Sequence, residues 1–242
     1  MNLHIFDTAE QIAVAVGNMI IEQINEKPDS VLGFATGASP VPTYQYLVKC
    51  YNEGKVSFKD MTTFNLDEYC DLPVEDKNSY FTFMHENLFN HIDVNEDNVN
   101  FLNGNAVDTE AECSRYDNLI NAKKIDIQLL GVGRNGHIGF NEPSNKFTKG
   151  SFKVQLTQST IDSNKKYFEA VGDTMPEYAL TMGIGDIMRA KKLLLIISGN
   201  KDTQLEGAYF ASDNLLVMKK GKIVAHLEPA TTDESVVLSH MM

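Results

Sequence analysis

The chain has 242 residues, of which 43% are hydrophobic, and a formal net charge of −12 at pH 7. This length and composition allow a substantial buried core. The negative charge disfavours nucleic acid and anionic membranes as partners, because these need clustered lysine and arginine. An anionic small molecule would need a local pocket that is basic or lined by backbone N–H groups.

The chain is expected to be cytoplasmic. Its first residues, MNLHIFDTAEQIAVAV, lack the basic region and long apolar core of a signal peptide, and the longest aliphatic run, 193–197, is too short to span a bilayer. Cys50, Cys70 and Cys113 are widely separated and form no CxxC pair. We interpret them as free thiols, buried or incidental, in a reducing compartment.

Strand-like and helix-like segments alternate along the chain. The apolar runs predict strands at 3–6, 30–35, 61–66, 99–102, 125–130, 153–156 and 191–198. Helices are predicted from residue 9, where Thr8 and Gln11 fit a capping box, and near 42–50, 79–90, 108–122, 160–168, 183–190 and 202–211. Residues 217–226 resemble two short strands around a Lys-Gly turn.

This alternation predicts an α/β fold, a single doubly wound domain with a largely parallel central sheet flanked by helices. Ligands of such sheets bind outside the carboxyl ends of the strands. Polar clusters follow predicted strands at 36–40, 67–69, 131–143 and 198–201. If the sheet is parallel, these clusters share one edge.

The individual clusters have ordinary structural explanations. The small-residue turn TGASP at 36–40 precedes a helix whose amino end could hold a phosphate, but such residues also form common strand-to-helix turns. Asp67 and Glu68 could include a general base with a pKa raised by burial. Considered alone, they are better explained as acids that cap a helix, because acidic residues are common there.

The stretch GVGRNGHIGFNEPS at 131–144 admits several interpretations. Its GxGxxG pattern suggests dinucleotide binding, but no helix-like segment follows and the next strand does not end in the required acid. A metal site is disfavoured because no second histidine or cysteine lies at a helpful spacing from His137. Nucleophilic acyl transfer is disfavoured because GxSxG is absent and no serine or cysteine is placed beside His137 in the sequence. A buried structural histidine remains an alternative. The pattern best fits proton transfer by His137, oriented by Asn135 and Glu142 and facing Asp67, as in aldose-ketose chemistry.

These motifs resemble the glucosamine-6-phosphate deaminase family, which converts glucosamine 6-phosphate and water to fructose 6-phosphate and ammonia. The resemblance runs from residue 1 to about 205. It is strongest in FNLDEY at 64–69 and GVGRNGHIGFNEP at 131–143, with support from ATGASP at 35–40 and from 178–201. It implies one deaminase-like domain over 1–242, a sugar-phosphate ligand, no cofactor or metal, and a monomer or homo-oligomer.

The resemblance also implies roles for individual residues. Asp67 would handle the proton on C2, His137 would open the sugar ring, and Asn135 and Glu142 would orient and tune it. The substrate would be bound by residues of the phosphate loop and of the two main motifs, with Lys201 supplying a positive charge: Thr36, Gly37, Ala38, Ser39, Glu68, Gly136 and Lys201.

The chain departs from the family pattern in three places. Ile161 stands where the enteric branch has a phosphate-binding arginine, which leaves Lys165 or Lys166 as possible replacements. The segment 144–152 lacks the Thr-Arg pair of allosteric members, so we expect no such activation. Residues after about 205 lack the usual carboxyl-terminal segment. Galactosamine-6-phosphate deamination and a non-catalytic sugar-phosphate sensor stay open as alternatives, whereas a 6-phosphogluconolactonase would not need the base in FNLDEY.

Overall fold

A five-stranded parallel sheet forms the centre of the fold. The computed structural model describes residues 4, 6–133, 136–144, 146–169 and 173–197, apart from the side chains of 159, 163, 166, 167 and 169. From one edge of the sheet to the other, its strands are β4 (Val99–Asn100), β2 (Thr62–Asn65), β1 (Val31–Phe34), β5 (Ile127–Gly131) and β8 (Lys192–Ile196).

Helices cover both faces of this sheet. They are α1 (Ala9–Glu26), α2 (Val41–Asn52), α3 (Tyr80–Asn87), α4 (Thr109–Lys123), α5 (Gln158–Glu169) and α6 (Ile184–Ile187), with short 3-10 turns at Phe89–His91 and Glu96–Asn98. The expected capping box opens α1, because the Thr8 hydroxyl accepts from the Gln11 backbone N–H and the Gln11 side chain accepts from the Thr8 N–H.

The alternation of side chains along the strands explains why two apolar clusters flank the sheet. In β1, Val31 packs into a cluster with α4, and Leu32 packs into a second cluster with α1 and α2. Strand residues buried on both faces read as continuous apolar runs. The predicted doubly wound α/β architecture is therefore confirmed.

A second sheet was not anticipated from the sequence. Strands β3 (Asp67–Tyr69), β7 (Tyr178–Thr181) and β6 (Phe152–Gln155) form an antiparallel sheet in the order β3-β7-β6. The run at 153–156 was expected in the parallel sheet and belongs here instead. A single residue separates β3 from β2, and β3 itself has three residues. Its sequence pattern therefore could not be distinguished from an extension of β2.

Several other expectations can be compared with the structure. Cys50, Cys70 and Cys113 are buried free thiols, as expected. His4 and Phe6, the described part of the run at 3–6, lie in no strand. The helix predicted at 202–211 and the strands predicted at 217–226 lie outside the described residues. Within the described part of the chain, none of the helices has the length and apolar character needed to cross a membrane.

One buried carboxylate forms hydrogen bonds with residues at the end of α1 and at the starts of β1 and β8. Asp126, 3% exposed, accepts hydrogen bonds from the ammonium groups of Lys27 and Lys191, each at 2.7 Å, and from the Val31 backbone N–H at 2.8 Å. Burial acts to raise the pKa of Asp126, but these hydrogen bonds outweigh burial and the net pKa is lowered. The ionised carboxylate therefore stabilises the start of β1 and β8.

Asp126→Asn should lower the free energy of unfolding at pH 7 by roughly 1–2 kcal/mol, since the amide cannot serve all three donors. The stabilisation by a carboxylate with a lowered pKa is present above its unfolded-state pKa and is lost as pH falls through the folded-state value. The difference from wild type, measured by urea unfolding, should therefore shrink below about pH 4. The matched control is Asp29→Asn at an exposed position, which should leave stability unchanged both at pH 7 and below about pH 4.

Candidate active site

A cavity of about 470 Å³ opens at the carboxyl ends of β1, β2 and β5. It brings together three of the polar clusters expected to share this edge, and the cluster at 198–201 lies outside the described residues. The described lining is Ala35, Thr36, Gly37, Ala38, Ser39, Pro40, Leu66, Asp67, Tyr69, Lys77, Asn78, Tyr80, Phe83, Gly131, Val132, Gly133, His137, Gly139, Phe140, Thr160, Asn164 and Phe168. The wall is largely apolar, with a few polar groups, which is typical of a small-molecule site.

The loop at 36–40 forms one wall and leads directly into α2. Gly37 has a φ of +102°, which favours glycine, and a Cβ there would meet no atom within 4 Å, so the loop surface beside it is open. The Tyr44 hydroxyl donates to the Ala35 carbonyl and anchors the end of β1. All the residues expected in a phosphate loop, Thr36, Gly37, Ala38 and Ser39, therefore line the cavity.

Asp67 is the acid of the cavity wall. It lies at the start of β3, opposite Thr181 of β7, and is 4% exposed. Its Oδ1 atom accepts no hydrogen bond from any described residue. Burial, and then the charge of Glu68, raise the pKa of Asp67 from 3.8 to about 8. The carboxyl therefore titrates near neutral pH, which suits a group that takes up and returns a proton.

Glu68 points away from the cavity, because adjacent residues of a strand face opposite sides. Its carboxylate accepts hydrogen bonds from the backbone N–H groups of Tyr69, Tyr80 and Phe81, each at 2.9 Å. Burial raises the pKa of Glu68 to about 6, against the lowering effect of these bonds. Glu68 thus caps α3 from the neighbouring strand and does not line the cavity.

His137 lies against Gly133 on the wall formed by the loop after β5. A Cβ at Gly133 would stand 2.2–2.4 Å from three atoms of the imidazole ring, so only glycine leaves room for the ring. The Gly133 N–H donates to the His137 carbonyl at 2.8 Å, and the Gly136 N–H donates to the Gly133 carbonyl at 3.0 Å. Burial lowers the pKa of His137, and the charge of Glu142 opposes that effect.

A tight turn after His137 is fastened to the second sheet. The Phe140 N–H donates to the Thr181 hydroxyl at 3.1 Å, and the Asn141 amide donates to the Met182 carbonyl at 2.8 Å. Gly139 has a φ of +57°, and a Cβ there would lie 3.1 Å from Asp67 Oδ2. The turn therefore brings the His137 loop against the strand that carries Asp67.

Glu142 links this loop to the first turn of α5. Its Oε1 atom accepts from the hydroxyls of Thr157 and Thr160, each at 3.0 Å. Thr157 also caps α5, because its Oγ1 accepts from the Thr160 backbone N–H at 3.3 Å. Glu142 is outside the cavity lining and acts on the cavity through the field it exerts on His137.

Some expected residues fall elsewhere or cannot be described. Asn135 and Lys201 lie outside the described residues, and Gly136 is buried without lining the cavity. Ile161 packs against the apolar cluster around Tyr69 and Phe140. Lys165 does not line the described cavity, and the side chain of Lys166 is not described.

Other wall residues were missed by sequence reasoning. Thr160, Asn164 and Phe168 project from one face of α5, and their spacing of four residues is a helical signal that could have identified them. Tyr80 carried no such signal. It contacts Tyr69 through their hydroxyls at 3.3 Å and stacks on Phe140 with ring centroids 5.9 Å apart.

Within the described part of the chain, no group of three or more histidine, cysteine, aspartate or glutamate side chains is placed to hold a metal ion. The polar groups that converge on the cavity are instead a buried carboxyl, an imidazole, an ammonium group on Lys77 and several hydroxyls. Such a set can bind a polar ligand and exchange protons with it.

Comparisons with known proteins agree with this geometry. The family model for glucosamine-6-phosphate isomerases/6-phosphogluconolactonase matches residues 6–215. Glucosamine-6-phosphate deaminase of Clostridioides difficile is 50% identical over 184 residues, covering 76% of this chain and 74% of that protein. The deaminase of Lysinibacillus sphaericus is 48% identical over 196 residues, covering 81% and 82%.

Solved structures also resemble this chain. A monomeric glucosamine-6-phosphate deaminase superposes with a TM-score of 0.83 at 39% identity, covering 91% of this chain and 98% of that one. The 6-phosphogluconolactonase of Thermotoga maritima, at 19% identity, has a TM-score of 0.66 and covers 86% of this chain and 88% of its own. That second likeness concerns the fold alone.

Fold and cavity together define an α/β protein with a small-molecule site at the carboxyl edge of its parallel sheet. The chain belongs to the glucosamine-6-phosphate isomerase/6-phosphogluconolactonase family.

The raised pKa of Asp67 predicts a pH-dependent effect on stability. The folded state holds the Asp67 proton up to about pH 8, whereas the unfolded chain releases it near 3.8, so wild type loses stability as pH rises between these values. Asp67→Asn cannot ionise. We expect it to be more stable than wild type at pH 8 by roughly 1–3 kcal/mol, with the gain shrinking towards pH 4.

Urea unfolding of both proteins from pH 4 to pH 8 measures this difference. Asp71→Asn, an exposed acid on the same segment, is the control and should follow wild type throughout. A stability difference between Asp67→Asn and wild type that does not change with pH would show that Asp67 titrates normally.

Proposed function

We propose that the chain is a glucosamine-6-phosphate deaminase, which converts glucosamine 6-phosphate and water to fructose 6-phosphate and ammonia. The observation that carries this proposal is the presence in one cavity of a buried titratable acid, Asp67, and an imidazole, His137, beside the small-residue loop at 36–39. Relatives that are 43–50% identical over most of the chain bear this name, and they support the same substrate here.

In the first step, His137 opens the sugar ring. It accepts the proton of the C1 hydroxyl and delivers a proton to the ring oxygen as the bond between C1 and that oxygen breaks, which leaves an aldehyde at C1. The lowered pKa of His137 favours the neutral imidazole, the form that accepts a proton. The charge of Glu142 stabilises the imidazolium that forms during the transfer.

In the second step, the ionised form of Asp67, which becomes populated as pH approaches its pKa of about 8, removes the proton from C2. The electron pair of the broken C–H bond forms a double bond between C1 and C2, the C1 oxygen takes a proton from water, and an enolamine and a hydroxide result. Asp67 then returns its proton to C1, and the nitrogen gives a proton to the hydroxide, which leaves an imine at C2. The imine adds water and releases ammonia. These steps are proton transfers and hydrolysis, so the proposal requires no cofactor or metal.

The remaining residues complete the proposal. Thr36, Gly37, Ala38 and Ser39 bind the phosphate, with Lys201, while Glu68 and Gly136 support the substrate-binding elements. Asn135 orients His137. The family match over 6–215 supports one domain for the whole chain, 1–242. Buried free thiols and the negative charge favour a cytoplasmic protein that binds neither nucleic acid nor membranes, and the monomeric solved relative favours a monomer over a homo-oligomer.

The purified protein should release ammonia from glucosamine 6-phosphate. Asp67→Asn and His137→Gln should each lower kcat by about 10²–10⁴-fold, because each removes a group that transfers a proton in the reaction. A coupled ammonia assay measures this. The exposed Asp71→Asn and His91→Gln make the same chemical changes away from the cavity and should retain wild-type rates.

Full activity in both cavity variants would contradict the proposal. The assay should include galactosamine 6-phosphate, since a higher kcat/KM on that epimer would reassign the substrate. If the protein bound sugar phosphates and released no ammonia from either, it would be a sensor and not an enzyme.

The bonds between Glu142 and α5 predict a further effect on activity. Thr160→Val removes one hydroxyl that holds the Glu142 carboxylate, and we expect kcat to fall about five- to tenfold, corresponding to roughly 1 kcal/mol for a lost hydrogen bond. Thr160→Ser keeps the hydroxyl and should retain most of the wild-type kcat. Equal kcat values for the serine and valine variants would remove Thr160 from the positioning of Glu142.

A further inference from the structure

The proposed substrate brings a phosphate group, and therefore about two negative charges, into a protein that is already strongly negative. Moving such a group from water into a cavity is favourable only where donors and positive charge replace its hydration. Lys77 is the only lysine or arginine among the described residues that line the cavity.

The backbone around Lys77 is held by a pair of turns. The Asp76 N–H donates to the Pro73 carbonyl at 3.0 Å, and the Ser79 N–H donates to the Asp76 carbonyl at 2.9 Å. The Asp76 carboxylate accepts from the Asn78 N–H at 2.7 Å. Lys77 therefore projects from a fixed turn, and only its flexible side chain needs to adjust to a ligand.

This turn lies beside the loop at 36–40. Tyr80, three residues after Lys77, lies close enough to Thr36 for their side chains to interact, and both residues line the cavity. Glu68 holds the start of α3 by accepting from the Tyr80 N–H. Lys77 and the small-residue loop are thus on connected parts of the cavity wall.

The Lys77 ammonium is also available for a ligand. It makes no ion pair or hydrogen bond with any described residue, whereas Lys27 and Lys191 are both engaged by Asp126. The acid nearest to it in sequence, Asp76, uses a carboxylate oxygen to accept from the Asn78 backbone. An exposed lysine that lines a cavity is well placed to attract an anion.

We infer that Lys77 binds the phosphate group of the substrate, together with the loop at 36–39. This inference rests on the proposed function and adds a second ammonium group to the loop and Lys201, which the proposed function places on the phosphate. Because phosphate is remote from C1 and C2, its bonds with Lys77 are equal in the ground and transition states. They lower KM and leave kcat almost unchanged.

The test compares Lys77→Gln, Lys77→Arg and the control Lys59→Gln with wild type. Lys59→Gln makes the same change in net charge as Lys77→Gln. Lys59 is exposed and precedes β2, at the edge of the sheet opposite the cavity. We expect Lys77→Gln to raise KM for glucosamine 6-phosphate about tenfold with kcat within about twofold of wild type. Lys77→Arg should restore most of the affinity, and Lys59→Gln should match wild type.

Salt and inorganic phosphate provide readouts that a merely structural role would not change. The KM of wild type should rise more steeply with ionic strength than that of Lys77→Gln, because screening weakens an attraction that the variant lacks. Lys77→Gln should raise the inhibition constant for inorganic phosphate by about the same factor as it raises KM. A KM and inhibition constant for Lys77→Gln equal to those of Lys59→Gln would overturn the inference.

The two proposals can fail separately. If wild type releases no ammonia from glucosamine 6-phosphate, the proposed function fails, and calorimetric binding of inorganic phosphate decides the inference. Weaker phosphate binding by Lys77→Gln than by Lys59→Gln would then support an anion site at Lys77, and equal binding would exclude it. If wild type is active and only the Lys77 result is negative, the deaminase proposal stands.

Discussion

The site depends on the direction in which two successive side chains leave one short strand. Between β2 and β3 the chain leaves the parallel sheet and joins the antiparallel sheet with a single residue, Leu66, in between. Adjacent residues of β3 face opposite sides, so Asp67 faces the cavity and Glu68 faces the start of α3. Glu68 is satisfied by backbone donors, and Asp67 has an oxygen atom with no partner among the described residues.

This asymmetry gives two buried acids different chemical properties. Glu68 receives hydrogen bonds that offset the cost of burying its charge, whereas Asp67 receives no comparable set and also experiences the charge of Glu68. Stability is lost where Asp67 ionises, and the protein tolerates this cost at its candidate site. A shift of β3 by one residue in its pairing with β7 would exchange the directions of the Asp67 and Glu68 side chains. Asp67 would then no longer face the cavity.

Close backbone approach supplies the second half of the site. Gly133 leaves room for the His137 ring, and Gly139 allows the following turn to lie against Asp67 and Thr181. The pattern of glycines that suggested a nucleotide-binding loop therefore has a different physical origin. It lets an imidazole loop and a strand of the second sheet form one wall.

The parallel sheet and the convergence of polar clusters at its edge could be predicted because both follow from local periodicity and a general rule for parallel strands. The second sheet could not, because β3 pairs with β7, more than a hundred residues away, and neither strand has a strong pattern of its own. The link between Glu68 and α3 was partly visible, since capping was one of the two interpretations considered. Lys77 carried no signal, because an exposed lysine in a polar turn is common and only the cavity distinguishes it.

Burial raises the pKa of the Asp67 carboxyl well above the usual range of an aspartate, and the site depends on this shift. A ¹³C NMR titration of the aspartate side-chain carbonyl carbons tests this directly, with the Asp67 signal assigned by its loss in Asp67→Asn. We expect an apparent pKa near 8, far above the usual value of 3.8. Titration of that signal at about pH 4 would show that burial does not shift the pKa of Asp67, because a buried carboxylate without hydrogen-bond donors cannot keep an ordinary pKa.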